Sequence, residues 1–457
     1  MTHDREDMLG TMNIKKLLMK LSIPAMSGMF INALYNIVDT LFVARGLGET
    51  AIGGLTFAFP IQMILMAVGL MIGVGAASVY SRAFGKKDYK TMDLVVNSAL
   101  KTDVVIALTM AVLAFIFLEP LLSFFGATPD NFQYGKDYLS IILIGLVPMT
   151  LSMVLNNLTR AEGRAMVSMY ALIIGAGLNI ILDPIFIFVF DLGVKGAAIA
   201  TVIAQFSSLI FIFTQAYGKN SNLHIHFNHF FVVNFRLIKE SLGVGLPTFL
   251  RNATGAMITI IILRLISKYA GNNNQIETYQ SIYGVINRVI NFVFLPSFGI
   301  VQGLVPIASF NYGAKHFKRL KDVIIFATTI VIIYFIVSFI LIYFLAPSIF
   351  LAFSESSDPE FIHLGSQAFT ILSIGFILVG FQIMASSIFQ SFGYPVKATI
   401  VTISRQILFF VPLVYIFSSL WGIVGIWIAF AAADLLAGFL SIFLLRVELK
   451  HIESMIV

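Results

Sequence analysis

Gly75-Ala-Ala-Ser-Val-Tyr-Ser-Arg-Ala-Phe-Gly-Lys-Lys-Asp-Tyr-Lys90 and Gly303-Leu-Val-Pro-Ile-Ala-Ser-Phe-Asn-Tyr-Gly-Ala-Lys-His-Phe-Lys318 are two versions of one peptide. Gly75, Ser81, Phe84, Gly85, Lys87, Tyr89 and Lys90 are answered by Gly303, Ser309, Tyr312, Gly313, Lys315, Phe317 and Lys318, all at an offset of 228 residues. Downstream, Gly163, Gly193 and Gly196 find Gly393, Gly422 and Gly425 at 229–230, and Pro24 finds Pro247 at 223. A period of half the chain is too long for a solenoid and describes a duplicated bundle.

The duplicated unit belongs in a membrane. The sequence is 58% hydrophobic and 11% charged, with a mean hydropathy of +0.93, whereas soluble domains carry about 25% charged residues. Apolar stretches of bilayer length fall near 17–44, 54–82, 94–118, 137–159, 166–190 and 195–217, and again near 238–268, 281–311, 321–345, 362–391, 396–417 and 421–446. The expected fold is an all-α polytopic membrane protein with twelve transmembrane helices in two pseudo-symmetric six-helix lobes. The boundaries expected are 1–217, a linker loop at 218–237, and 238–457. Six spans per half is even, so both copies start on the same side and the repeat is parallel.

Basic residues cluster in alternate loops. Arg82, Lys86, Lys87, Lys90, Arg160, Arg164, Lys219, Lys315, Lys318, Arg319 and Arg446 are among those on one side, against only Arg45, Lys136, Lys195 and Lys268 on the other. The bias places both termini and the 218–237 loop in the cytoplasm of a multi-pass cell-membrane protein. The net charge of +6 is thereby accounted for by topology, with no nucleic-acid partner implied. The first residues carry Asp4, Glu6 and Asp7, unlike a signal peptide, so the first apolar span is read as a retained helix.

Several chemistries are excluded. Cys is absent, which removes disulfides and thiolate ligands. No GxxxxGK[ST] loop is present, leaving an ion gradient as the energy source. Gly175-x-Gly177 lies inside a span and lacks the aspartyl-protease arrangement. His224, His226 and His229 are metal-like in spacing, but no carboxylate or cysteine completes a site, so they read as a solvated linker. No cofactor and no resident metal are expected.

An ionisable group in hydrocarbon costs about 2.5–3.5 kcal/mol or more, so each needs a reason. Asp39 lies late in the first helix, Asp183 late in the fifth and Thr201 early in the sixth, all at similar depth, with Asn179 one turn from Asp183 on the same face. Two carboxylates in low dielectric cannot both ionise cheaply, so one is expected to hold a proton near neutral pH, or a small cation such as Na+ neutralises both. The alternative is that each acid merely pairs with an Arg or caps a broken turn. Arg251 and Asp434, at mid-depth in the seventh and twelfth helices, read as an interhelical ion pair or as substrate contacts. Arg288 and Arg405 read the same way, and Arg264 as an interfacial residue. Tyr35 joins the cavity candidates.

The twelve spans in two parallel halves, the repeated Gly-x-Lys-x-(Tyr/Phe)-Lys loop, Asp39 and Asn179-x3-Asp183-Pro184 together resemble the MATE family of multidrug and toxic compound extrusion transporters. Gly177-Leu-Asn-Ile-Ile-Leu-Asp-Pro184 and Gly303-Leu-Val-Pro306 are most similar to its DinF-like/MepA-type branch. The resemblance implies V-shaped lobes, alternating access and export of organic cations in exchange for H+ or Na+, and a monomer is expected. It implies a coupling site at Asp39, Asn179, Asp183 and Thr201, further polar cavity residues at Tyr138 and Asn156, and a bend of the first helix at Pro24. NorM-type members place acids in helices seven and ten, whereas this chain has Arg251, Asn252 and Gln382 there, so coupling is expected to rest on the first lobe. Two other readings compete: a flippase or exporter for lipid-linked saccharides or other anionic amphiphiles, and a membrane enzyme using Asp39 and Asp183 as an acid/base dyad.

Overall fold

A computed structural model describes residues 2–126, 129–218, 221–225, 234–354 and 358–456. Among them the secondary structure is helical, with no strand. Among the described residues nine helices are long and apolar enough to cross a bilayer, and two bent pairs, Asn131–Ile144 with Leu146–Ala161 and Pro359–Ser373 with Phe376–Phe392, make two more. The stretch Pro395–Ser454 holds the eleventh and twelfth spans, divided where Trp421 and Gly422 leave helical geometry. The first two spans, Ile14–Val43 and Gly54–Gly85, are joined by backbone that stays helical where the sequence suggested a loop.

The duplication is written into the backbone. The bends in the fourth and tenth spans, 54° and 48°, fall at Gly145 and Gly375, an offset of 230 that the sequence reading passed over. A Cβ at Gly145 would strike Val202 and one at Gly375 would strike Asp434, so each bend exists where a helix presses against a later span of its own half. The turns between spans five and six and between eleven and twelve need φ +58° at Gly193 and +57° at Gly422. Just after each turn, Gly196 and Gly425 lie against the backbone of Phe186 and Phe417, letting the two spans fold back closely.

The repeated peptides cap the second and eighth spans and meet one another. Lys87 and Lys315 both take left-handed backbone, φ 59° and 58°. The residues after them close six-to-one bonds, Asp88 N to Ala83 O at 3.0 Å and His316 N to Asn311 O at 2.9 Å. Gly85 packs on the Phe310 carbonyl and Gly313 on the Arg82 carbonyl, with built Cβ atoms only 2.0 and 2.1 Å from those oxygens. Nearby, Gly75 meets Ser241, Gly245 meets Met71, Gly299 meets Met26 and Gly303 meets Ser22. Small residues of this kind let membrane helices approach to backbone contact, where dispersion and not the hydrophobic effect holds them.

Polar bonds reinforce this seam between the halves. Ser78 Oγ donates to Gln390 O at 2.6 Å, and Arg82 pairs with Glu240 at 2.9 Å. The amino-terminal helix Thr2–Thr11 reaches both halves. Its Arg5 pairs with Glu162, which is fully buried, while the Leu9 carbonyl accepts from Asn311 Nδ2 and from Arg319. The two-lobe bundle is thus closed at the end bearing the amino terminus.

Candidate functional site: a buried acidic cluster in the first lobe

Asn179 and Asp183 are one helical turn apart on the fifth span, Ala165–Val189, and both face inward, 1% and 0% exposed. The Gly193 turn brings the sixth span back so that Thr201 faces them. Asn179 Nδ2 donates to Asp183 Oδ1 at 3.1 Å and to Thr201 Oγ1 at 3.3 Å. Asp39 reaches the same place from the first span, where its carboxyl and that of Asp183 lie within hydrogen-bonding reach. Such a bond needs a proton on one partner, because two carboxylates offer only acceptors.

Three oxygens in the cluster, Asp39 Oδ1, Asn179 Oδ1 and Asp183 Oδ2, are buried with no hydrogen-bond donor. Among the described residues no Lys, Arg or His forms an ion pair with either Asp. A buried acceptor without a donor costs about 1–3 kcal/mol, more for a charged one. The arrangement therefore presents an unfilled demand for positive charge, which a proton or a small oxygen-loving cation satisfies. Tyr35, one turn before Asp39, and Tyr138 both lie close enough to feel the two carboxyls. The Tyr138 hydroxyl donates to Gln62 Oε1 at 3.4 Å, which adds Gln62, 7% exposed, to this wall. Nothing in the sequence singled out Gln62, a lone amide in an apolar helix.

Asn156 lies in a separate network from the acidic cluster. Its Oδ1 accepts from Ser168 Oγ at 2.9 Å, and Ser168 Oγ accepts from the buried Arg160 at 2.8 Å, in a network beyond the Gly145 bend from Tyr138. That bend turns the two halves of the fourth span to different surroundings. Pro24 is buried in the seam, between Ser22 and Met26, which carry the Gly303 and Gly299 contacts. Asp103 is a separate buried carboxyl, bonded by Thr150 Oγ1 at 2.9 Å. His224 contacts Asp93 at 3.0 Å, while His226 and His229 lie outside the described residues.

In the second lobe the expected Arg251–Asp434 pair is replaced by another. Asp434, 2% exposed, is gripped by Arg405 through Nε to Oδ1 and through Nη2 to Oδ2 at 3.3 Å. A π-helical stretch, Ser404–Phe410, widens the eleventh span here and turns Arg405 toward the twelfth. Arg251 instead lies over the Phe298 ring at 5.2 Å, and Arg405 over Phe294 at 5.8 Å. Arg288 is exposed.

Comparison with known proteins agrees with this architecture. The MatE family model matches twice, over residues 24–185 and 247–416, once in each half. The multidrug export protein MepA of Staphylococcus haemolyticus (strain JCSC1435) is 27% identical over 432 residues, covering 94% of this chain and 93% of that protein. A solved outward-facing multidrug resistance MATE family transporter of the MOP superfamily superposes with a TM-score of 0.89 at 26% identity, over 98% of both chains. A MOP superfamily transporter from Pyrococcus furiosus, whose reversed binding-pocket polarity is described as suggesting a different function, also gives 0.89, at 27% identity over 98% of both chains. With both halves matched and relatives spanning nearly its full length, this protein belongs to the MATE family of multidrug efflux transporters.

Proposed function

We propose that the protein is a secondary antiporter that exports organic cations across the cell membrane in exchange for an ion taken up at Asp39, Asn179, Asp183 and Thr201. The observation that carries this reading is the set of three buried, donorless oxygens at Asp39, Asn179 and Asp183, with no basic partner for either Asp among the described residues. The preferred coupling ion is H+, carried on the carboxyl pair, with Na+ competing for the same oxygens. Loading removes the repulsion between the two acids. Asp39 stands on the same helix as Pro24, whose missing N–H weakens the turn packed in the seam, so a change at Asp39 is transmitted along the first span to the contact between the halves. The same reading puts both termini in the cytoplasm, the divisions at 217 and 238 between the lobes, and a monomer in the membrane.

Ethidium efflux from proteoliposomes under an imposed pH or Na+ gradient tests it. Asp39→Asn and Asp183→Asn should each abolish gradient-driven efflux while leaving the protein folded. Normal coupling in both variants would move the coupling site elsewhere. Turnover of a substrate in detergent without any gradient would replace transport by enzyme chemistry.

A further inference from the structure

Asp103 stands midway along the third span, Tyr89–Ile116, and is 1% exposed. The ion site at Asp39 and Asp183 makes no use of it. Its Oδ1 is buried without a hydrogen-bond partner, and its Oδ2 accepts from Thr150 Oγ1 at 2.9 Å. Thr150 lies in the fourth span just beyond the bend at Gly145, and its hydroxyl is also 3.3 Å from the Val147 carbonyl. The second span holds it in place, since a Cβ at Gly69 would stand 2.8 Å from that of Thr150. A hydroxyl has one hydrogen to give. An ionised Asp103 and the Val147 carbonyl compete for it, whereas a protonated Asp103 donates to Thr150 and frees that hydrogen for Val147. The competition matters locally, because Pro148 has no N–H to bond back across the bend.

Among the described residues no charged side chain faces Asp103. The second span has no ionisable residue from Gly54 to Val79. In the fourth span Arg160 is ten residues, about 15 Å, along the helix from Thr150 and donates to Ser168 and Asn157. At the outer end Tyr138 bonds Gln62, Glu119 pairs with Lys136 and Asp137 with Lys195. The seventh span meets the third near Leu237, Ile238 and Ser241, where Lys239 is exposed and Glu240 is paired with Arg82. On the third span itself Lys101, two residues earlier, points to the opposite face and lines an apolar groove with Leu100 and Val104. A carboxyl and one hydroxyl are too few oxygens for a metal ion, which leaves the proton as the ligand that fits.

We propose that Asp103 is a second proton-binding site of the first lobe, and that Thr150 relays its state to the Val147 carbonyl beside the Gly145 bend. Gain of a proton joins Asp103, Thr150 and Val147 in one hydrogen-bonded chain. Its return to water draws the Thr150 hydrogen back to the carboxylate and leaves Val147 without it. The bend itself presses on Val202, the neighbour of Thr201, so Asp103 acts on the same contact between the fourth and sixth spans that borders the acidic cluster. The site carries its own proton and does not depend on the ion assigned to Asp39 and Asp183.

Infrared difference spectra of the full-length protein between acidic and alkaline buffer show the C=O stretch of buried carboxyls that change protonation. They are recorded for the wild type and for Asp39→Asn/Asp183→Asn, so that failure here is distinct from failure of the ion assignment. In both, one band should appear on acidification, shift in heavy water and vanish when Asp103→Asn is added. Thr150→Val should move that band to higher frequency, by loss of its hydrogen bond, and Thr150→Ser should return it. Gly145→Ala, whose Cβ would stand 2.6 Å from Val202, and Val202→Ala, which empties the same contact, should each shift the band. Gly177→Ala, with nothing within 4 Å, should not. Absence of a band tied to Asp103 overturns the site, whether the carboxyl stays ionised or keeps its proton throughout. A band unmoved by Thr150→Val, or by both bend variants when they elute as folded protein, overturns the relay.

Discussion

Substituting Gly85 by Ala should push the halves apart at the end where they are now closed. A Cβ at that position would stand 2.0 Å from the Phe310 carbonyl oxygen, and one at Gly313 would stand 2.1 Å from the Arg82 oxygen. Carbon does not approach oxygen closer than about 3 Å without severe repulsion, so the crossing helices must separate by roughly 1 Å. The obstructing atoms are main chain, which cannot swing aside as a side chain can. Overpacking of this kind costs about 1–3 kcal/mol. Gly85 and Phe310 belong to different halves, so most of that cost is avoided if the seam opens, and the equilibrium should shift toward the opened state by about 5- to 150-fold.

The absence of cysteine makes this measurable. Ser78 is fully buried in the seam, bonded to Gln390 O at 2.6 Å, so a lone thiol introduced as Ser78→Cys reports opening through its rate of maleimide labelling in detergent. Labelling should accelerate by the factor above in Gly85→Ala and again in Gly313→Ala. Gly177→Ala, with nothing within 4 Å of its new methyl, should leave the rate unchanged. An unaltered rate in Gly85→Ala, with an unaltered unfolding temperature, would refute the idea that this contact sets the balance between closed and open forms.

Other expectations concern the second lobe, the last turn and a helix cap. Arg405→Met leaves Asp434 buried and unpaired and should cost about 3–5 kcal/mol, whereas Arg405→Met/Asp434→Leu should recover most of it, as read from the unfolding midpoint by tryptophan fluorescence. Gly422 has φ 57° and ψ −134° with open space around it, so Gly422→Ala should lose about 1–3 kcal/mol through backbone strain alone, while helical Gly255→Ala, equally uncrowded, should not. Asp88, in an exposed loop, accepts from Thr91 N at 3.1 Å and Thr91 Oγ1 at 2.6 Å, bonds that hold its carboxyl below the usual range. Its folded form is therefore favoured above the ordinary carboxylate value and the benefit fades on acidification. The roughly 1 kcal/mol separating wild type from Asp88→Ala should be present at pH 7 and shrink as pH falls below about 4.

Much of the bundle could be read from residues because hydrophobic length, turn glycines and a repeated loop each have a single structural solution. Asn179 and Asp183 were legible as a pair for the same reason, since one helical turn fixes their shared face whatever surrounds it. Asp434 was misassigned because sequence gives the height of a residue in the membrane but not its bearing around the bundle. Arg251 and Arg405 are at comparable heights, and the π-helical Ser404–Phe410 stretch turns Arg405 in a way no 3.6-residue periodicity announces. Asn156 and Tyr138 share the fourth span, but the bend at Gly145 sets them in different surroundings. In the second half the equivalent bend at Gly375 has no proline and rests on short i−3 bonds, Ile374 N to Ile371 O and Gly375 N to Leu372 O.

The helix Thr2–Thr11 leaves the ribosome long before the residues it docks against are made. Arg5 waits for Glu162, and the Leu9 carbonyl waits for Asn311 and Arg319, synthesised some three hundred residues later. Ten polar-flanked residues must therefore stay uncommitted while eight spans are inserted, a delay that long-range contacts impose on any folding route. Docking of this segment then acts as a completion check. Only a chain whose two halves have both been built and brought together can bury Leu9.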